Sequence, residues 1–318
     1  ILPSDLHKFI NNSSYDIVNF HWVNNEMISL KEISKIKKNL FWTFHDMWPL
    51  LGSEHYKIKI KKKNKLINIF YKYFDFSNYI KSKKKIYFSK VDIKIILPNN
   101  FLKKKVLKNK NFKKNKIITI RNPINTNFWK IIKSRNTNKK IRLLFVAVNP
   151  YRDPRKGFFK VYNALKKLDA DIYVIGSDYV DIKMPKNFKN LGYIGNKSKL
   201  RKIYNSSDAL IIPSEQDNLP NVALEAMACG LPIISSTNSG LKEIIKNKFN
   251  GIVLSKFDYQ NLKKTCDWIK KNRLKKKKID IRNYCLKEFS YKIISNKYIN
   301  FYKEALTEKK NKHNHSNL

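Results

Sequence analysis

The chain has 318 residues, 42% of them apolar and 13% aromatic, enough for two domains with cores of their own and incompatible with a low-complexity chain. Basic residues outnumber acidic ones by 67 to 24, a formal charge of +43, and the three cysteines are too few and too scattered for a disulfide framework or a structural zinc site. That cysteine usage fits a reducing compartment, and no apolar run reaches the roughly 18 residues of a spanning helix.

Taken in chain order, strand and helix signals alternate. Residues 15–22 read as a buried strand, 28–37 as a helix and 39–44 as a second strand, which ends at Thr43-Phe44-His45-Asp46. Lysine clusters across 57–90 surround a helical stretch at 66–79, rich in Ile, Phe and Tyr. Strands follow at 92–97 and 116–120, the first stopped by Pro98, the second by Asn122-Pro123. The polar stretch 130–140 reads as a linker. Beyond it come strands at 142–148, 171–175, 187–194, 209–213, 232–235 and 251–254. Helices at 157–168, 197–205, 220–229 and 241–246 separate them, and further helices run to about residue 308. Short apolar strands alternating with helices imply parallel sheets covered on both faces. The expected division is 1–133, 134–290, a helix at 291–308 packing back toward the first domain, and a disordered polar tail at 309–318. Two such α/β domains would face a cleft, where ligands commonly bind.

The charge is uneven. Of the basic residues 59 are Lys and eight are Arg, beside abundant Asn and Ile, a composition that A/T-rich codons produce without selection for a partner. Residues 57–116 carry 21 Lys against Asp75 and Asp92, whereas 207–258 carry four Lys against six acids. The first region, with its clusters at Lys61, Lys62, Lys63, Lys83, Lys84 and Lys85, suits an anionic membrane surface or a nucleic acid. No DNA- or RNA-binding motif accompanies it, so a nucleic-acid partner is not expected.

Three segments carry chemistry. In PSEQDNLPNVALEAMACGLP, Glu225 is the one carboxylate in an otherwise apolar helix. A carboxylate there needs hydrogen-bond donors: sugar hydroxyls, a lysine, a backbone amide or another protein group. Asn218 is a plausible cap and Pro220 suits the first turn, so the amides at this helix start attract negative charge. The second segment, Asn149 to Gly157, places Arg152, Arg155 and Lys156 at a strand-to-helix turn. Cations at the carboxyl edge of a parallel sheet suit a diphosphate, though in so lysine-rich a chain a solvated loop is the plain alternative. The third, Thr43 to Pro49, puts His45 at the exit of a buried strand, with His21 as its possible neighbour from the previous strand. The set His21, His45, His55 and Glu54 lacks any recognised metal-ligand spacing, so no metal is expected.

These segments together resemble the family 4 retaining glycosyltransferases, whose fold is GT-B. The match runs from about residue 15 to 305. Glu225 stands at the second acid of the family's E-x7-E pair and Asp217 at the first, usually Glu. FWTFHDMWP resembles the family's T-x-H-D segment, RNPINTNFW its interdomain segment, and Lys156-Gly157 the end of its G-R-x-x-x-x-K-G loop. The arginine of that loop is displaced, since Ala147-Val148 stand there, and Arg152 or Arg155 would substitute. The resemblance implies transfer of a sugar from a nucleotide-sugar to a glycan or lipid-linked acceptor, with retention, no metal and no further cofactor. It gives Glu225 the ribose hydroxyls and gives Asp217, with the chain at Asn218, Leu219, Pro220 and Asn221, the sugar. Lys156 with Arg152 or Arg155 takes the diphosphate, and His45 the transferred sugar. It places the enzyme in the cytoplasm, peripheral on the inner face of the membrane, in cell-envelope polysaccharide synthesis. A GT-B first domain begins with a βαβ unit, about 30 residues, that has no counterpart here, so the first domain is expected to be incomplete. An inactive relic of the fold, or a basic nucleic-acid-binding protein, are the alternative readings.

Overall fold

Strands of four to six apolar residues, each followed by a helical crossover, can pair only in parallel when the crossovers cover the sheet faces. The computed structural model describes residues 4–23, 27–56, 76–133, 140–177, 183–272 and 275–316, and all its strand pairs are parallel. The chain divides into two units, residues 1–121 with 296–318, and residues 122–295.

The first unit holds β1 (Ile17–Phe20), β2 (Asn39–Thr43), β3 (Ile93–Leu97) and β4 (Ile117–Thr119), hydrogen-bonded in that order. Every residue of β2 and β3 is buried, as expected of central strands covered on both faces. The helices are α1 (Leu6–Asn12), α2 (Leu30–Ile33), α3 (Phe76–Phe88) and α4 (Asn100–Leu107). The expected helix at 28–37 shrinks to the four residues of α2, held by a capping box between Ser29 and Glu32. Of the helix expected at 66–79, residues 66–75 lie outside the described residues, and the remainder opens α3. Lys84, which the charge run places among surface lysines, is instead fully buried. Its ammonium donates to the carbonyls of Trp48, Leu51 and Gly52 and sits over the Trp48 ring. Three acceptors and an aromatic face satisfy a buried cation. Burial lowers its pKa to about 7.

The second unit holds β5 (Ile141–Val146), β6 (Ala170–Ile175), β7 (Phe188–Asn190), β8 (Ala209–Ile212), β9 (Ile233–Ser236) and β10 (Gly251–Leu254). Their order across the sheet is β10-β9-β8-β5-β6-β7. Counted within the unit this is 6-5-4-1-2-3, the doubly wound Rossmann order, whose direction reverses between β5 and β8. Its helices are α5 (Phe158–Leu165), α6 (Lys197–Ser206), α7 (Asn221–Ala228), α8 (Tyr259–Lys271) and α9 (Lys275–Phe289). The stretch 241–246 forms a 3-10 turn, Gly240–Glu243, where the sequence suggests a helix. Helix α7 ends in a Schellman motif. Gly230 takes φ +75°, its amide bonds Met227 O, and Leu231 N bonds Ala226 O at 2.9 Å. That geometry explains the Cys-Gly-Leu-Pro that closes the helix in the sequence. The last helix, α10, spans Tyr291–Ser316 and so continues into the stretch whose composition suggests a disordered tail. Among the described residues no helix is long and apolar enough to cross a membrane.

Candidate functional site

The crevice outside the carboxyl ends of β5 and β8 is where a doubly wound sheet binds its ligand. The loop after β5 delivers Arg152, Arg155 and Lys156 there, and the loop after β8 delivers Asp217 to Pro220. The two loops are bonded to each other. Glu215 N donates to Arg155 O at 2.9 Å, and Lys156 Nζ donates to Asp217 Oδ2 at 3.0 Å. Gly157, at φ +74°, permits the approach, because a Cβ there would stand 2.6 Å from Pro213 O. The β8 loop is fixed from other sides as well. Ser236 Oγ donates to Ser214 O, Gly240 N to Asp217 O and Asn122 Nδ2 to Leu219 O. A ligand would therefore meet a preformed wall.

The expected site residues fall into distinct roles. Lys156 and Asp217 form a partly buried ion pair, side chains 27% and 10% exposed. Arg155 lays its guanidinium on Asp153, through Nε at 3.0 Å and Nη2 at 2.6 Å, while Arg152 is exposed. A side-chain ion pair joins Lys156 to the β8 loop, and the Arg155 guanidinium pairs with Asp153 in its own turn. Asn218 is buried but does not cap α7: Pro220 occupies the N-cap position, with no side-chain cap, and Asn221 begins the helix. The reason is local. Pro220 at φ −67° and ψ 131° keeps the chain extended two residues longer than an Asn218 cap allows.

Glu225, one turn into α7, accepts a hydrogen bond from Tyr204 Oη of α6 at 2.9 Å. Burial raises its carboxyl pKa above the ordinary value, with the Tyr204 bond and the Lys197 charge working against that. Tyr204 is fully buried, its ring edge-on to Trp129. Burial and the neighbouring carboxylate push its hydroxyl well above the ordinary tyrosine range. The sequence gives no sign of Tyr204, since it is one of 17 tyrosines and stands 21 residues from its partner.

His45 lies in the first unit, at the carboxyl end of β2. Its Nε2 is 3.0 Å from Nδ1 of His21, which leaves the same sheet edge after β1. Burial, then the proximity of His21, lowers the His45 pKa, with Asp46 opposing; burial also lowers that of His21. Asp46 spends one oxygen on Trp48 N and the other on His55 Nδ1. Glu54 Oε2 accepts from Ser77 Oγ at 2.8 Å, so that His21 with His45, His55 with Asp46 and Glu54 with Ser77 form separate contacts. Among the described residues the one group of three metal-type ligands within reach of a common point is Asp5, His7 and Glu32. There Glu32 is already engaged by Ser4, His7 and Ser29.

Two parallel α/β units, one with Rossmann strand order and a lysine–aspartate pair at its switch point, are the parts of a GT-B protein. The chain belongs to the family described as glycosyl transferases group 1, whose pattern matches residues 127–285 and so covers β5 to β10 and the entire β5–β8 edge. An uncharacterised Klebsiella pneumoniae protein of the cps region is 27% identical over 93% of this chain and 81% of its own. An uncharacterised glycosyltransferase of Methanocaldococcus jannaschii is 34% identical over 40% of this chain, a stretch that spans only 34% of that relative. A Campylobacter jejuni N,N'-diacetylbacillosaminyl-diphospho-undecaprenol alpha-1,3-N-acetylgalactosaminyltransferase is 30% identical over 39% of this chain and 33% of its own. Among solved structures, Anabaena HepE in complex with UDP-glucose superposes with a TM-score of 0.67 over 95% of this chain and 81% of that one, at 12% identity. That likeness establishes the fold.

Proposed function

We propose that the chain transfers a sugar from a nucleotide-sugar to a glycan or lipid-linked acceptor, with retention at the anomeric carbon and without a metal. The observation that carries the reading is the Lys156–Asp217 pair at the Rossmann switch point, with Glu225 on the helix that follows. Cleavage of a sugar–diphosphate bond develops negative charge on the leaving diphosphate, and a fixed ammonium is worth most where that charge appears. Lys156 is held at this edge by Asp217 and exchanges that carboxylate for the diphosphate when a donor binds. Arg152 adds a second cation from the same loop. Asp217, freed, turns to the sugar together with Asn218 and the chain at Leu219, Pro220 and Asn221. Glu225 takes the ribose hydroxyls, and His45 is assigned to the transferred sugar. Attack by the acceptor on the face the diphosphate leaves gives retention with no enzymic nucleophile.

The HepE complex supports a nucleotide-sugar donor, and the C. jejuni relative's name supports a lipid-linked acceptor. Family 4 membership of the retaining type is part of this proposal, as is residence at the cytoplasmic membrane face. Calorimetric titration with UDP and with other nucleoside diphosphates tests the donor site. Saturable binding in excess chelator is expected, at least tenfold weaker in Lys156→Ala, the equivalent of about 1.4 kcal/mol. No binding of any nucleoside diphosphate, or binding that requires added magnesium or manganese, would count against the assignment.

A further inference from the structure

We infer that Asn19 and His21 hold His45 as the neutral imidazole protonated on Nδ1, so that His45 carries its N–H at Nδ1 while its Nε2 lone pair is taken up by His21. The use of that tautomer rests on the reading of His45 as a sugar-facing residue; the tautomer itself follows from a chain of contacts within the first unit.

Parallel pairing sets Phe20 beside Trp42, so β1 and β2 release their next residues at one edge. Asn19 lies within β1 and Thr43 closes β2. Thr43 Oγ1 donates to Asn19 Oδ1 at 3.3 Å, and Tyr298 Oη is 3.3 Å from the same hydroxyl. With its oxygen accepting, the Asn19 amide points its nitrogen at Tyr302 Oη, 2.7 Å away, and at His21 Nε2, 3.3 Å away. An amide nitrogen has protons and no lone pair to offer, so His21 Nε2 must be the bare nitrogen. A neutral imidazole bare at Nε2 carries its proton on Nδ1. That nitrogen is 3.0 Å from His45 Nε2, which therefore accepts, and the His45 proton is left on Nδ1. The order is directional from end to end: hydroxyl to amide, amide to first imidazole, first imidazole to second. Burial disfavours the charged form of both rings, which keeps one proton on each. Asn19 and His21 are positioning residues in this scheme, acting on the site only through His45.

Long-range proton–nitrogen spectra of the full chain, 15N-labelled in its histidines, read the two nitrogens of each ring separately. His45 signals are assigned by their loss in His45→Gln. At pH 7.5 both His21 and His45 are expected to show protonated Nδ1 and bare Nε2. His21→Leu removes the donor, and His45 should then lose its fixed preference and populate the Nε2-protonated form. His21→Asn keeps an N–H near the position of Nδ1 and should restore the wild-type pattern. A purely structural role for His21 would not distinguish these two variants by tautomer. Protonated Nε2 on His45 in the wild type would mean that the Asn19 amide is turned over and every bond reversed, and would overturn the inference. So would an unchanged Nδ1-protonated His45 in folded His21→Leu. The spectra do not depend on nucleotide binding and the nucleotide titration does not depend on the tautomer, so the two readings can fail separately.

Discussion

Glu225 is the residue at which the fold and the proposed chemistry pull in opposite directions. Its carboxyl pKa is raised by burial, so the unfolded chain gives up this proton at lower pH than the folded chain does. Between the two values stability falls as pH rises, and at neutral pH the ionised carboxylate costs the empty protein stability. In the proposed donor complex, ribose hydroxyls would supply the donors that burial withholds. Two outcomes follow from Glu225→Gln. The amide keeps an acceptor for Tyr204, so thermal stability should hold or rise. Affinity for the nucleoside diphosphate should fall by tenfold or more, the equivalent of about 1.5–3 kcal/mol for a hydrogen bond to a charged group. The wild type should also bind more weakly as pH drops through the raised carboxyl pKa, and the variant should lack that limb. Scanning calorimetry beside titrations at several pH values measures both. A destabilised variant with unchanged affinity would assign Glu225 to the Tyr204 contact alone.

The two loops that meet at the β5–β8 edge depend on Gly157 for their spacing. Replacing it by Ala puts a side chain at φ +74° and a Cβ against Pro213 O. A left-handed non-glycine residue costs about 1–3 kcal/mol, and here the clash is with backbone that cannot swing aside. Gly157→Ala should therefore lower the urea midpoint and, by displacing the adjacent Lys156, weaken nucleotide binding. A fold as stable as the wild type would show that the loop relaxes freely and that the wall is not preformed. This turn also marks how far the sequence is readable. Its cations, its glycine and the strand before it are legible because they are neighbours in the chain. Most of the six-stranded sheet is legible too, since β5, β6 and β8 are short apolar runs followed closely by Asn, Gly or Pro, whereas β7 (Phe-Lys-Asn) carries no such run. Contacts made at a distance are less legible. Tyr204 under Glu225 is set by strand order and helix phase, which no local pattern records, whereas His21 beside His45 could be anticipated because both leave the ends of successive strands. Asn218 reads as a cap because its residue type favours one, but Pro220 holds the backbone extended past it. Lys84 reads as one more surface lysine because its three carbonyl acceptors belong to a turn more than thirty residues earlier.

The net charge of +43 is too large to be explained by the donor site, whose surroundings are neutral to acidic. It concentrates in residues 57–116, part of which lies outside the described residues. What is described there includes α3, and this helix has two kinds of surface. Phe76 and Tyr79 are 64% and 55% exposed, Ile86 is 48% exposed, and Lys81 and Lys85 are exposed among them. Lys83 reaches over the Tyr79 ring, 5.3 Å from its centroid. Lysines beside exposed aromatics are the composition of an interfacial helix. Lys84, one position away, is excluded from that face by its buried carbonyl contacts. The chain should therefore sediment with vesicles rich in phosphatidylglycerol at low salt, stay in solution with phosphatidylcholine vesicles, and be released from the first by salt. Each lysine near an anionic surface contributes about 1 kcal/mol at most, so the combined change Lys81→Gln, Lys83→Gln and Lys85→Gln should weaken vesicle binding tenfold or more and leave nucleotide affinity as it is. Lys84→Gln, by contrast, should lower the urea midpoint, because it leaves backbone carbonyls of the Trp48–Gly52 turn without their cation. Wild-type protein that remains in the supernatant with anionic vesicles at low salt would mean that the lysines reflect composition alone, and that α3 meets something other than lipid.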